Sequence, residues 1–332
     1  MLKFFNSNKI ILSFFYLILI GLFAGIDYYF GKELGKPSVN TIIAQTILNP
    51  YYRLSIEVQY IISTLVVFIQ CLLLIYISTK QQLLKTTNLL PGLFYILFLA
   101  LSPSPFLLNE AILANFLIIL AINDVLGSYK KNKAFAQVFN AGFFIGLASL
   151  FNPVYAILFI WAFIAFIQLR SFKGNERFLM VIGLALPYYL LGAIYYYNDE
   201  LHLLLNYDLL TLFGLWNFNF TNLQSIFCLI SGFLLFVALS FNFTRFNYKR
   251  SIVVQRKILS LFVLYSIQLF LIIFLGLGVE QYLILLAIPA AVFSSLLSLN
   301  TPYQWGELAT LLLLLNILCL RITPIVEIFG LI

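Results

Sequence analysis

Apolar residues fall into long runs along this chain, and short charged or polar segments separate the runs. Most runs are about 16–22 residues long, which is the length a helix needs to cross roughly 30 Å of hydrocarbon. The pattern predicts eleven transmembrane helices. Their approximate bounds are residues 9–26, 58–78, 88–102, 111–127, 135–151, 154–170, 178–197, 222–242, 258–277, 281–298 and 306–321.

The composition agrees with an integral membrane protein. Hydrophobic residues make up 63% of the chain and charged residues only 9%, whereas a soluble domain has about 25% charged residues. The apolar runs lack the alternation of barrel strands, and a spanning segment must satisfy its own backbone hydrogen bonds. The predicted fold class is therefore an all-α, polytopic integral membrane protein.

Basic residues predict the orientation of the spans. All but four of the 19 lysines and arginines fall in the segments of one parity, together with the N-terminus, and such segments face the cytoplasm. The N-terminus is thus predicted inside and the C-terminus outside a cell membrane, most simply a bacterial inner membrane. The net charge of +7 does not indicate a nucleic-acid partner, because the bases lie in short loops rather than on one folded face.

Two outer loops are long, residues 27–57 and residues 198–221, and loops of this length are often functional. Segment 38–49 has apolar residues at helical spacing and is followed by Pro50. Segment 201–213 has a similar pattern. Both are expected to form juxtamembrane helices on the outer surface.

The outer ends of the spans carry two carboxylates of interest. Asp27 comes directly after the first predicted span and Glu110 directly before the fourth. A carboxylate at a partly dehydrated boundary can accept a proton from an attacking hydroxyl, because desolvation favours its protonated form. An ordinary role as a solvated acid at a helix end is the alternative for each.

Three further outer residues are candidates for binding a substrate. Arg53 and Arg321 stand on an acidic outer face, where guanidinium groups suit the capture of a lipid phosphate, although interfacial arginines also occur without a ligand. His202 is the single histidine and cannot head a multi-histidine metal site. The three cysteines lie in different apolar runs without metal-ligand spacing, so no metal site is predicted from them, and the sequence does not identify a cofactor.

Small and amide residues within the spans are expected to serve helix packing. Gly21 with Gly25, and Gly142 with Gly146, have the spacing that lets helices approach closely. Amide side chains in or near the spans are interpreted as interhelical hydrogen-bonding groups. They are Gln70, Asn115, Asn140, Asn152, Gln268 and Asn316.

The order of these parts resembles the GT-C glycosyltransferase superfamily. Asp27 occupies the place of the acid in the first outer loop, and Glu110 that of the second acid. The stretch 140–153 is similar to a short glycine-containing helix ending in a polar residue and a proline, and 183–198 is similar to the seventh span. The resemblance covers residues 1–221, a GT-C-like module, and leaves 222–332 as C-terminal helices. Tyr28 replaces a second acid, and a Trp-Trp-Asp signature is absent.

This resemblance implies transfer of a sugar from a polyprenyl-phosphate donor to an acceptor on the outer face. Asp27 would be the general base, Glu110 an auxiliary acid or metal-positioning group, and Arg53 or Arg321 a phosphate clamp. Two alternatives remain open. The chain would otherwise be a non-catalytic subunit or assembly factor that binds another membrane protein, or a transporter or lipid flippase, although its charges lie at span ends rather than mid-membrane.

Overall fold

The computed structural model describes residues 13–30, 42–84, 88–102, 106–131, 133–199, 250–275 and 279–300. Within these ranges the chain is helical and contains no strand, which confirms the all-α class. The predicted elements at 201–213, 222–242 and 306–321, with His202 and Arg321, lie outside the described residues.

Ten α-helices are described, and one short 3₁₀ helix, Pro153–Ile157, leads into the seventh of them. The α-helices are α1 Ser13–Phe30, α2 Ile42–Tyr52, α3 Ile56–Lys80, α4 Leu90–Leu99, α5 Glu110–Gly127, α6 Phe135–Phe151, α7 Leu158–Leu169, α8 Gly174–Tyr197, α9 Ile252–Leu275 and α10 Val279–Asn300.

Four described helices are long and apolar enough to cross a membrane, namely α3, α5, α8 and the part of α9 over Ile252–Ile272. Five shorter apolar helical segments accompany them. The helices therefore confirm the prediction of a helical membrane protein, while the predicted count of eleven spans and their orientation extend beyond what these helices establish.

Several predicted helix boundaries were wrong by three or more residues, among them the start of α8, which lies at Gly174 and not at residue 178. Helix α1 continues to Phe30, so Asp27 lies within its last part and not after it, because the apolar residues that follow Asp27 extend the helix. Helix α2 continues through Pro50 to Tyr52, since the proline lies near its end, where little helix remains to be disrupted. Helix α9 begins six residues earlier than expected, at Ile252, and includes Arg256 and Lys257.

Helices α6 and α8 approach each other closely. A Cβ added to Gly142 would lie 2.4 Å from the Met180 carbonyl oxygen, and one added to Gly146 would lie 2.6 Å from that of Leu184. Gly183 on α8 meets the backbone of Phe139 in the same way. The packing role of Gly142 and Gly146 is thus confirmed.

The other glycine pair behaves differently. A Cβ added to Gly21 or Gly25 would meet no described atom within 4 Å. The expectation that this pair joins two helices is therefore not met in the described part of the chain. The same α1 helix instead packs through another face, where Tyr16 and Ile20 are fully buried.

Helix α4 lies at the centre of the bundle. All ten of its residues are buried, and it packs against α10 and α3. A fully apolar helix of this length cannot by itself cross a bilayer, so its place is within the protein interior.

Buried amide and phenol groups connect the helices near mid-bundle. Gln70 of α3 donates to the Ile112 carbonyl at 2.7 Å and accepts from the Tyr95 hydroxyl at 2.7 Å. Asn115 of α5 donates to the Ile284 carbonyl of α10, five residues before Pro289. These contacts confirm that Gln70 and Asn115 hold helices together.

Candidate functional site at one end of the bundle

The end of α1 brings Asp27 into a buried environment. Asp27 is 8% exposed. Phe23, one turn earlier on the same face, stacks on Phe106 with ring centroids 5.9 Å apart, and Tyr28 meets Tyr60 of α3 edge-on at 5.8 Å. The end of α1 that carries Asp27 is thus held against the start of α3 and the segment that leads into α5.

Glu110 stands at the start of α5, four residues after Phe106. It is 3% exposed. Asn109 caps this helix by accepting the Ile112 N–H at 2.8 Å, a common use of asparagine at this position. The first turn of a helix also favours a negative charge, which offsets part of the cost of burying this side chain.

Two tyrosines at the end of α2 hold the segment that carries Glu110. The Tyr52 hydroxyl donates to the Leu108 carbonyl at 2.8 Å, and the Leu108 N–H donates to the Tyr51 hydroxyl at 3.3 Å. Tyr51 in turn donates to the Gln59 carbonyl at 2.8 Å. We refer to Tyr51 and Tyr52 as the tyrosine clamp, because both backbone groups of Leu108 are bound between them.

Polar side chains of α3 complete the attachment. Ser63 donates to the Phe106 carbonyl at 2.6 Å. Gln59 donates from its amide to the Tyr52 carbonyl at 3.2 Å and to the Leu54 carbonyl at 2.8 Å. The turn between α2 and α3 and the segment before α5 are therefore both attached to the end of α2 and the start of α3.

Burial keeps the clamp hydroxyls protonated. It raises the pKa of Tyr51 to about 12, an effect that hydrogen bonding to Leu108 and Ser63 opposes. Burial also raises the pKa of Tyr52 well above its usual value, with smaller contributions from Tyr51 and from the negative charge of Glu110.

The predicted site residues are thus partly assembled. Asp27 and Glu110 lie at the same end of the bundle and are linked through Phe23, Phe106 and the clamp. Arg53 follows Tyr52 on the turn after α2, with its side chain exposed. The described residues contain no group of three or more His, Cys, Asp or Glu side chains able to hold a metal ion.

Reasoning from the sequence missed the tyrosine clamp, Gln59 and Ser63. The pair of adjacent tyrosines directly after Pro50 was a usable signal, because tyrosine commonly places its hydroxyl against a polar partner at a membrane boundary. The partners lie 56 and 57 residues away along the chain, so the sequence pattern alone could not identify them.

A bundle of apolar helices with a buried acidic, tyrosine-lined end defines the class as helical membrane protein. The chain belongs to DUF6427, a family of unknown function whose model matches residues 37–329. The matched region includes Glu110 and the tyrosine clamp and begins after Asp27. No curated protein and no solved structure matches the chain.

Proposed function

We propose that this protein is a membrane glycosyltransferase that transfers a sugar from a polyprenyl-phosphate donor to an acceptor on the outer face. The observation that carries the proposal is the burial of two carboxylates, Asp27 and Glu110, at one end of the bundle. Burying a carboxylate costs free energy unless it is stabilised, so two such groups at one end favour a functional role.

In the proposed reaction, an acceptor hydroxyl attacks the anomeric carbon of the sugar. A new carbon–oxygen bond forms with inversion, and the bond from that carbon to the phosphate oxygen breaks. The polyprenyl phosphate leaves with the electron pair. Asp27 takes the hydroxyl proton, Glu110 acts as an auxiliary acid, and the exposed Arg53 binds the phosphate as a fork-shaped donor.

The proposal requires a particular topology. Eleven spans with the N-terminus inside would place Asp27, Glu110 and the surface helix α2 on the outer side of a bacterial inner membrane. Helix α2 has 11 residues, about half the length of a span, which supports an interfacial position. Arg321 and His202 would join the site from the C-terminal part and the second outer loop.

A second candidate function is a non-catalytic subunit or assembly factor that binds another membrane protein. The specific observation in its favour is Glu110, whose position at a capped helix start beside the tyrosine clamp suits a structural acid. Under this alternative the enclosed carboxylates would fix the shape of the outer surface and would not react.

Replacement of Asp27 by Asn separates the two functions. The amide nearly preserves the shape of the side chain but cannot accept the proton, so sugar transfer should fall by roughly 10²–10⁴-fold. Asp199→Asn is the matched control, because Asp199 is exposed and at a loop position. Transfer is measured in membranes supplied with a labelled polyprenyl-phosphate sugar.

Stability and expression of both variants are compared with the parent protein. Loss of transfer in Asp27→Asn alone, with normal stability, supports catalysis. Full growth of cells that depend on this protein, with Asp27→Asn as their only copy, would instead favour the non-catalytic subunit.

A further inference from the structure

The turn between α7 and α8, at the opposite end of α8 from Asp199, contains a cluster of cations around a helix start. Arg170 ends α7, and Lys173 and Arg177 flank the first turn of α8. Because α8 is long and apolar enough to cross a membrane, its first turn lies at a membrane boundary. We propose that this turn binds a phosphate group, supplied by a lipid headgroup or by a free phosphate.

A buried ion pair organises the turn. Arg170 and Glu176 pair through Nη2 and Oε1 at 2.6 Å, and each side chain is only 2% exposed. The other oxygen of Glu176 accepts the Lys173 backbone N–H at 3.3 Å. Arg170 thereby neutralises the charge of Glu176, and the helix start orients its carboxylate. Glu176 therefore does not compensate the positive charges of Lys173 and Arg177.

A separate observation, the unused hydrogen-bond donors of Arg170, also points to a ligand. Its Nε and Nη1 atoms are buried and have no hydrogen-bond partner among the residues described. A buried donor without an acceptor costs free energy. The ion pair with Glu176, the third residue of α8, holds this buried guanidinium beside the first turn of the helix, so its two unused donors add positive potential to the surface at which a phosphate would bind.

Arg177 is oriented in advance. Its Nε donates to the Phe172 carbonyl at 3.2 Å, and its guanidinium carbon lies 5.8 Å from the centre of the Phe172 ring. Phe172 is itself held by the Phe166 ring, 5.4 Å away. An arginine fixed at Nε loses less entropy when its terminal nitrogens bind an anion.

The helix start adds backbone donors. The first N–H groups of an α-helix have no acceptor within the helix and attract anions. Gly174 and Asn175 are exposed, and a Cβ added to Gly174 would meet no described atom within 4 Å. There is therefore open space for a phosphate beside these N–H groups.

An apolar surface continues from the proposed site along α8. Phe178 is 68% exposed and lies one turn beyond Gly174, and Val181 and Ile182 follow it with their side chains exposed. A lipid whose phosphate occupies the first turn could place its acyl chain along these residues. This continuity favours a lipid headgroup as the source of the phosphate.

The test removes a single backbone donor. Gly174→Pro deletes one N–H at the first helical position, where proline is well tolerated, and Lys173 already has the extended conformation, φ −76° and ψ 158°, that a following proline prefers. Gly174→Ala is the matched control, because it keeps the N–H. The full chain in detergent is titrated with phosphatidylglycerol, and occupancy is read by native mass spectrometry.

Gly174→Pro should weaken phosphatidylglycerol binding by about tenfold, the value of one hydrogen bond to a charged group, and Gly174→Ala should leave it unchanged. The double variant Lys173→Gln with Arg177→Gln should weaken binding further. Lys130→Gln with Lys131→Gln, at another exposed loop, should have little effect. If Gly174→Pro fails to fold, the comparison of these two double variants tests whether the cations of this turn bind the phosphate.

Two more arms identify the source. Diacylglycerol, which lacks the phosphate, should not bind at this site. Competition by inorganic phosphate would assign the site to a free phosphate, and binding of phosphatidylglycerol without that competition would assign it to a lipid headgroup. Two results would overturn the proposal. One is that phosphatidylglycerol binds Gly174→Pro as well as Gly174→Ala and also binds the two double variants equally well. The other is that diacylglycerol binds the parent protein as well as phosphatidylglycerol does.

Discussion

Removing the hydroxyl groups of the tyrosine clamp tests whether it holds the segment that carries Glu110. Tyr52→Phe deletes the donor to the Leu108 carbonyl, and Tyr51→Phe deletes both the acceptor of the Leu108 N–H and the donor to the Gln59 carbonyl. Phenylalanine keeps the rings, whose centroids lie 5.2 Å apart. The substitutions therefore isolate the hydrogen bonds from the packing.

The expected magnitude follows from the number of groups left without a partner. A buried backbone group that loses its partner costs about 1–3 kcal/mol. Each variant leaves one backbone group of Leu108 without a partner, the carbonyl in Tyr52→Phe and the N–H in Tyr51→Phe. Tyr51→Phe also removes a second hydrogen bond to the Gln59 carbonyl, which keeps its helix partner, so this variant should be the more destabilised. A change of 1.4 kcal/mol is tenfold in an equilibrium constant, and local opening around Leu108 should increase by about that factor or more.

Hydrogen–deuterium exchange of peptides covering residues 106–112 provides the measurement. Exchange should become faster in both variants, and most clearly at the Leu108 amide in Tyr51→Phe. Tyr29→Phe is the matched control, because Tyr29 is 73% exposed. If both clamp variants exchange like the control, the hydroxyls do not hold this segment and the clamp has no positioning role.

The same variants predict a pH dependence. Burial raises the pKa of Tyr51 from 10.0 to about 12, so the folded protein holds this proton more tightly than the unfolded chain. The resulting stability is fully present below pH 10 and declines as the pH rises toward 12. Tyr51→Phe should show a smaller decline over this interval in chemical or thermal unfolding, since the titrating group is gone.

Two further predictions concern packing and topology. Gly142→Ala should lower the melting temperature in detergent, because overpacking costs roughly 1–3 kcal/mol and the gain in helix propensity is only about 1 kcal/mol. Gly21→Ala, the control, should not lower it. Equal melting temperatures of the two variants would contradict the close approach of α6 and α8. In a background without the three native cysteines, a cysteine at residue 199 should react with a membrane-impermeant reagent in intact cells and one at residue 131 should not. Labelling at 131 would reverse the proposed orientation.

Much of the helical organisation could be predicted from the sequence. The bilayer requires long apolar segments with internal backbone hydrogen bonds, so the boundaries of α3, α5 and α6 were predicted to within two residues or so. The turn at Asn152 was predicted as well, because Pro153 cannot continue the hydrogen bonding of α6. Asn152 is extended there and accepts the Val154 N–H at 3.1 Å.

Helix ends near polar residues were less predictable. A charge such as Asp27 predicts the end of a span, yet α1 continues past it through the apolar residues Tyr28–Phe30, and the Asp27 side chain is buried. The status of an acid at such a position depends on what packs around it. The sequence therefore identified Asp27 and Glu110 as candidates without showing that both are enclosed.

The sequence by itself determined the class of the protein, since composition and the length of apolar runs are local properties that the membrane constrains directly. Only the tertiary structure decided which polar groups meet. Tyr52 reaches Leu108, and Asn115 reaches Ile284 at a separation of 169 residues. Arg170, directly after α7, is buried with Glu176 of α8. Such contacts depend on how helices pack, and hydrophobic periodicity records only which face of each helix is apolar.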